Sequence, residues 1–300
     1  MTHSQIDKSN SAQLRLQISR EEAKALGRQT VNILEAGYYV NVLGTRVDIS
    51  RQVYESVRGT ISYPPDTQLP EHSSHRGNMV VEVRNETTLQ AVEYLKSKGF
   101  EPAALNFASA ESPGGGFLNG ARAQEEYLAR SSALWACLRD NAMYSFHRGR
   151  YDPFYSDYVL YSPDVPVIRD DTGKLLETPY SCSIITSPAV HASGVRRHMP
   201  AWTGEISSVM WRRILKVLAV AERHGHKGLV LGAWGCGAFG NDSNDVAKLF
   251  RKALEENFCG AFEYILFAIT DWSEDERYIG PFLRHFGVGK IHVDGSNGYQ

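Results

Sequence analysis

The sequence predicts an α/β layered domain with a mixed, largely parallel sheet. Three observations predict it. Short apolar runs alternate with longer amphipathic stretches across residues 79–269. The alternation of strand and helix signals is the pattern of parallel strands joined by helical crossovers. Two glycine-rich segments directly follow apolar runs, at the strand ends where open α/β sheets bind ligands. Composition agrees with a soluble globular class: of 300 residues, 42% are hydrophobic and 22% charged. A net charge of −2 excludes a global basic field, so neither sequence-specific nucleic-acid binding nor membrane binding is expected. No apolar run approaches the ~20 residues that span a bilayer. The first residues are polar and lack a signal-peptide core. Cys137, Cys182, Cys236 and Cys259 form no CxxC pair. They read as reduced thiols of a cytoplasmic protein, or a nuclear one in a eukaryote.

The elements follow in order. Ser19 with Glu22 forms a capping box. It opens an N-terminal helical extension with Leu26, Ile33 and Leu34 on its apolar face, ended by Gly37. Residues 39–42 and 46–49 flank Leu-Gly-Thr and predict a hairpin, and residues 61–77 read as an irregular loop. Residues 79–83 are a strand, 87–98 a helix closed by Gly99, and 103–107 a strand. A helix is expected over 124–138, then strands over 157–161 and 165–169, an Asp-Asp-Thr-Gly turn, and a strand over 183–186. Residues 205–223 form a long helix with Val209, Ile214, Val217 and Leu218 inward; 228–231 is a strand, 243–256 a helix and 263–269 a strand. Residues 19–290 are expected to make one domain, flanked by tails at 1–18 and 291–300.

The first glycine segment is Ser112-Pro113-Gly114-Gly115-Gly116, followed after seven residues by Gln124-Glu125-Glu126. Glycine is costly to order, and adjacent carboxylates repel. Two readings stand. The acids are solvated in a first helical turn favoured by the dipole. Alternatively, the glycines wrap a ligand and bring it to the acids, one of which has a raised pKa and serves as general acid while the other orients substrate. The second segment contains Gly235-Cys236-Gly237-Ala238-Phe239-Gly240, a literal GxGxxG between a strand and a helix. It lies far from the first βα unit, and Asp271, the next acid at a strand end, is too distant for a dinucleotide fold. It reads either as a phosphate or diphosphate cradle or as a tight structural turn. Both segments are expected to line one crevice.

Leu105-Asn106-Phe107-Ala108, the triple glycine and the Gln124-Glu125-Glu126 tripeptide together resemble the GGG…QEE signature of microbial-type poly(ADP-ribose) glycohydrolases. Residues 232–241 are similar to that family's diphosphate loop. The resemblance covers roughly residues 20–285. It implies a macrodomain-like three-layer α/β/α fold with a mixed sheet. It makes Glu126 the catalytic acid and Glu125 the neighbour that holds the ribose hydroxyls. It assigns Asn106 to the terminal ribose and Gly114, Gly115, Gly116, Gly235, Cys236, Gly237, Ala238 and Phe239 to the diphosphate, with Gln124 in the binding set and Phe239 on the distal ribose. Residues 187–191 are a weaker candidate for the adenine.

The implied reaction cleaves the ribose–ribose bond of poly(ADP-ribose), or releases ADP-ribose from modified protein or nucleic acid, through an oxocarbenium-like state. Glu126 protonates the leaving oxygen, and ADP-ribose is the product. No cofactor and no metal are expected: the ten histidines show no ligand spacing, and His147 and His191 read as surface residues. A mono-ADP-ribosyl hydrolase and a non-catalytic ADP-ribose reader are the alternatives; readers usually lack the paired acids. A nicotinamide-dependent oxidoreductase fits least.

Overall fold

A computed structural model describes residues 18–69, 78–287 and 291–293. In chain order the first elements are α1 (Arg20–Ala36), β1 (Tyr38–Val40), β2 (Arg46–Asp48), α2 (Ser50–Gly59), β3 (Ile61–Tyr63), β4 (Met79–Arg84), α3 (Thr88–Ser97) and β5 (Ala103–Phe107). There follow α4 (Gln124–Ser131), α5 (Leu134–Leu138), α6 (Ala142–Arg148), β6 (Val159–Arg169), β7 (Leu175–Ser187) and α7 (Ala192–His198). The remainder is α8 (Ile206–Arg223), β8 (Gly228–Leu231), α9 (Ser243–Glu256), β9 (Tyr264–Ala268), α10 (Ile279–Phe286) and β10 (Ile291–Val293). Contacts gather these into two compact units: residues up to 62 with 106–149 and 160–186, and residues 63–105 with 150–159 and 187 onward.

The second unit holds the parallel part of the sheet. β4 pairs with β9, β9 with β8, and β8 with the start of β5, all parallel, while β10 runs antiparallel to β4. β8 and β9 are apolar and buried along their whole length, as strands covered on both faces must be. Phe267 of β9 packs on Phe250 of α9 and on Phe282 and Phe286 of α10, with ring centroids 4.6–5.5 Å apart. Arg213 of α8 is fully buried. It donates to Asp157 Oδ1 (3.0 Å), Pro188 O (2.9 Å) and Phe154 O (2.6 Å), tying the 154–157 loop and the end of β7 to one helix.

In the first unit, β6 and β7 form a long antiparallel pair. Its register shifts after Ser162, where Asp164 takes a positive φ of 46°. α1 packs against α4 and against the 3-10 turn Phe117–Asn119. The anchor is Arg169 at the end of β6. Its guanidinium reaches Gln29 Oε1 (2.9 Å), the Arg130 carbonyl (3.2 Å) and the Gly173 carbonyl (2.9 Å). Thr30 Oγ1 donates to the same Arg130 carbonyl at 2.6 Å. One cation therefore joins α1, the C-terminus of α4 and the turn into β7. Burial pulls its pKa down to about 10, which leaves it charged at neutral pH.

Several expectations are corrected. The helix expected over 124–138 is two, because Ser132 turns extended (φ −144°, ψ 176°) and bridges Val167 of β6. The two strands expected over 157–169 are one bulged strand, and the strand expected at 183–186 begins at Leu175. Residues 61–63 of the expected loop are strand β3. Residues 291–293, assigned to a tail, pair with β4. The tail expectations for 1–17 and 294–300 lie outside the described residues. Val209 is only half-buried, while Ile214, Val217 and Leu218 are core. No helix among the described residues is long and apolar enough to cross a membrane.

Replacing Arg169 by Met should remove the shared cation while keeping its length, leaving the partly buried Gly173 carbonyl without its donor and the Arg130 carbonyl with the Thr30 hydroxyl alone. We expect a loss of about 1–3 kcal/mol in a urea melt, the cost of leaving a partly buried carbonyl without its donor. A loss below about 1 kcal/mol would show that α1 is held by its apolar face alone.

Candidate active site

The carboxylates are built by three adjoining pieces of the first unit. β5 ends at Asn106 and Phe107, the chain then turns through Gly114–Gly116, and α4 starts at Gln124. Gln124 Oε1 accepts from Phe107 N at 2.9 Å and fastens the start of α4 to the strand end. Glu125 Oε2 accepts from Ser109 N at 2.6 Å, and Oε1 from Asn106 Nδ2 at 3.4 Å. Asn106 Nδ2 also donates to Thr186 Oγ1 at 3.3 Å. Glu126 Oε1 accepts from Gly116 N at 2.9 Å. Both acids are out of solvent, at 4% and 9% exposure, so the solvated-helix reading fails.

The triple glycine has a specific reason. Gly115 has φ 60°, and a Cβ there would overlap Glu126 Oε1 and stand 3.1 Å from Glu125 Oε2. Only a residue without a side chain leaves room for two carboxylates against the backbone. The N–H groups of this segment are already taken: Gly114 N–H serves Glu125, Gly115 N–H serves Ser112 O and Gly116 N–H serves Glu126. The glycines therefore hold acids, rather than offering their N–H groups to an anion.

Glu125 is surrounded by donors yet sits almost wholly in protein. Burial pushes its carboxyl up to about 8, opposed by the Ser109 N–H and reinforced by the neighbouring Glu126 charge. A proton on Glu125 at neutral pH relieves the like-charge repulsion of the pair. Two buried atoms here have no partner among the described residues, Glu126 Oε2 and Asn106 Oδ1. Sequence reasoning missed two neighbours. The Tyr144 hydroxyl of α6 is buried, also without a partner among the described residues, and its pKa is raised by burial and then by the Glu125 charge. Arg130, one turn beyond Glu126 on α4, is buried, and its Nη1 has no partner among the described residues. The period of α4 places Arg130 on the Glu126 side and could have flagged it; nothing in the sequence flagged Tyr144.

The second glycine segment lies in the other unit. It leaves β8 and is braced by Asn241, whose Nδ2 donates to Val190 O (2.7 Å) and Gly235 O (3.0 Å). Gly235 has φ 75°, and a Cβ would stand 2.6 Å from Asn241 Nδ2. Trp234 is buried and donates from Nε1 to Ser187 O at 3.2 Å. The N–H groups of Gly235, Gly237, Ala238 and Phe239 make no hydrogen bond among the described residues. Gly237 and Ala238 are exposed, so this loop can offer several N–H groups to an anion. The Phe239 ring packs against His191 (4.9 Å between centroids) and Tyr155 (5.9 Å). The buried Cys236 thiol is pushed up to about 12 by burial.

The histidine expectations are corrected. His147 is fully buried, with Nδ1 2.9 Å from Met143 O. His191 is half-buried and accepts from Gly194 N at 2.8 Å, at the start of α7. No group of three or more His, Cys, Asp or Glu among the described residues is arranged to hold a metal ion.

Two measurements test this geometry. Gly115→Ala should destabilise by at least about 1 kcal/mol more than Gly44→Ala, which carries the same left-handed strain (φ 77°) in open space; equal losses would remove the carboxylate clash. The raised Glu125 pKa gives a second. The native state holds this proton up to about 8 and the unfolded chain releases it near 4.5, so stability falls as pH rises between those values. Thermal melts of Glu125→Gln should lack that decline; an unchanged slope would place the titration elsewhere.

Comparison with known proteins identifies the family. A family model described as the catalytic domain of microbial-type PARG matches residues 27–170. The poly(ADP-ribose) glycohydrolase of Thermomonospora curvata is 44% identical over 89% of this chain and 100% of that one, with a TM-score of 0.84. Its complex with the inhibitor ADP-HPD gives the same coverage and identity at 0.81. The Deinococcus radiodurans enzyme in complex with ADP-ribose is 38% identical over 78% and 96%, with a TM-score of 0.72. No curated protein sequence matches. The fold is the macrodomain-like mixed α/β architecture of these structures, and the chain belongs to the microbial-type poly(ADP-ribose) glycohydrolase family.

Proposed function

We infer that the chain's poly(ADP-ribose) glycohydrolase activity runs through Glu126 as general acid and then general base. The observation that carries this is Glu126 Oε2, a buried carboxylate oxygen with no partner among the described residues, while Oε1 is held by Gly116 N–H. One oxygen is anchored and the other is free to meet substrate. Glu125, held by Ser109 and Asn106, orients the ribose hydroxyls, and Asn106 Oδ1 is open to a further hydroxyl. In the family to which the chain belongs, the substrate is poly(ADP-ribose) and the product ADP-ribose.

The step is a hydrolysis. The bond from the anomeric carbon to the bridging oxygen breaks, and the oxygen takes the Glu126 proton and leaves as a hydroxyl. The sugar becomes oxocarbenium-like. A water gives its proton to the Glu126 carboxylate and its oxygen to the anomeric carbon. The diphosphate is the ligand we assign to the N–H groups of Gly235, Gly237, Ala238 and Phe239, alongside Cys236, and the Phe239 ring is assigned to the distal ribose. Gly114, Gly115, Gly116 and Gln124 contribute by holding the two acids. The cytoplasm is the compartment we assign, where the buried Cys137, Cys182 and Cys236 thiols remain reduced.

A second reading exchanges the acids. It is favoured by the proton that burial keeps on Glu125. The two are separated by measuring kcat and ADP-ribose Kd for Glu126→Gln and Glu125→Gln, with melts as a folding control. Glu126→Gln should keep affinity within a few fold and lose activity by on the order of 10²–10⁴. Glu125→Gln should show its damage more in substrate affinity and positioning. Near-normal turnover in Glu126→Gln with a dead Glu125→Gln assigns the acid to Glu125, and two active variants would end the carboxylate mechanism.

A further inference from the structure

Beside the Phe239 loop, within the same unit, stand exposed aromatic and basic side chains that the reaction above does not use. α7 ends in Arg196, Arg197 and His198, all exposed. The 3-10 turn Pro200–Glu205 continues from it, through Met199 N to Val195 O (2.7 Å) and Trp202 N to Met199 O (2.9 Å). Trp202 is 56% exposed, and Tyr151 is fully exposed. This face is fixed to the loop. Ser193 N donates to Phe239 O at 3.0 Å, and Arg196 Nη1 donates to Gly240 O at 2.8 Å. The Tyr151 segment is fixed to it as well, since His191 N donates to Pro153 O at 2.9 Å. Arg197 and His198 have no hydrogen-bond or ion-pair partner among the described residues. Of the nearby acids, Glu205 Oε2 accepts from Ser208 Oγ at 2.9 Å, and Asp152 Oδ1, next to Tyr151, accepts from Phe154 N at 2.9 Å.

We propose that this face is a subsite for the ADP-ribose unit next to the one held at the Phe239 loop, so that the enzyme grips its substrate as a polymer. The proposal rests on the reading of the loop as the diphosphate site. A single exposed aromatic on a surface needs no explanation. Here two exposed aromatics and an exposed guanidinium without a partner among the described residues are carried by segments hydrogen-bonded to one another and to the loop. That combination is what binds single-stranded nucleic acids, where aromatics stack on bases and arginines follow the phosphates. The polymer offers the same chemistry in each repeat: one adenine to stack and two phosphates to pair. Trp202 and Tyr151 stack adenine, and Arg197 pairs with the diphosphate as a charge-assisted donor.

The test uses full-length protein carrying Glu126→Gln, so that ligands survive. Trp202→Ala and Arg197→Glu are added singly, and Kd is measured for free ADP-ribose and for poly(ADP-ribose) oligomers of defined length. The expected result is unchanged ADP-ribose affinity, within about twofold. Oligomer affinity should fall about tenfold or more for either change. For Arg197→Glu the salt dependence of oligomer binding should also become shallower. Oligomer affinity unchanged in both variants overturns the subsite. Equal losses for oligomer and free ADP-ribose overturn it too, since the residues would then belong to the first site or to the fold. A parent that binds an oligodeoxyadenylate as tightly as the oligomer shows a general polyanion surface and overturns it as well. Failure of the reading of the loop looks different: the parent would then bind neither ADP-ribose nor oligomer.

Discussion

Two adjacent carboxylates buried in the first turn of one helix are the constraint on which the first unit depends. Burying an acid costs several kcal/mol unless donors replace water, and Glu125 and Glu126 must be supplied together. The supply is almost entirely backbone: the N–H groups of Ser109, Gly114 and Gly116. That requirement shapes the 108–116 segment, which must bend far enough to aim its N–H groups at side chains ten to sixteen residues later. It also calls for a firm base beneath α4. The Arg169 cation and the Thr30 hydroxyl give one at its C-terminal end, Gln124 gives another at its start, and Arg20 Nε, donating to Asn119 O at 2.9 Å, braces the turn between loop and helix.

Much of the fold was legible because its signals are local. The capping box read at Ser19–Glu22 opens α1, and the structure adds a second at Thr87–Gln90 opening α3. Apolar runs marked β4, β5, β8 and β9 to within a residue or so. What escaped was decided by contacts distant in sequence. Ser132 ends α4 by pairing with Val167, and no property of the 124–138 stretch announces this. β6 and β7 contain prolines and polar residues that hide a long antiparallel pair, because each strand is held by the other. His147 reads as a polar surface residue until its ring is seen bonded to a helix carbonyl in the core.

The site was legible in its residues and less so in their work. Both glycine segments read as places where a backbone approaches a ligand. In one, the N–H groups are consumed by side chains of the same chain. In the other, the N–H groups of Gly235, Gly237, Ala238 and Phe239 have no partner among the described residues. Composition cannot separate these cases, since both need positive φ and missing side chains. The difference lies in what each segment faces: a pair of acids ten residues away, or solvent.

Cys236 carries a consequence of another kind. It lies in the middle of the open loop, yet its thiol is buried and its pKa is far above neutrality. The anionic sulfur that attacks electrophiles and reacts with peroxide is therefore almost absent at neutral pH. The loop is insulated from oxidants that would silence an exposed thiolate. For the same reason, a covalent inhibitor aimed at this cysteine would find a poor nucleophile, and molecules that block this loop are better designed as reversible anions.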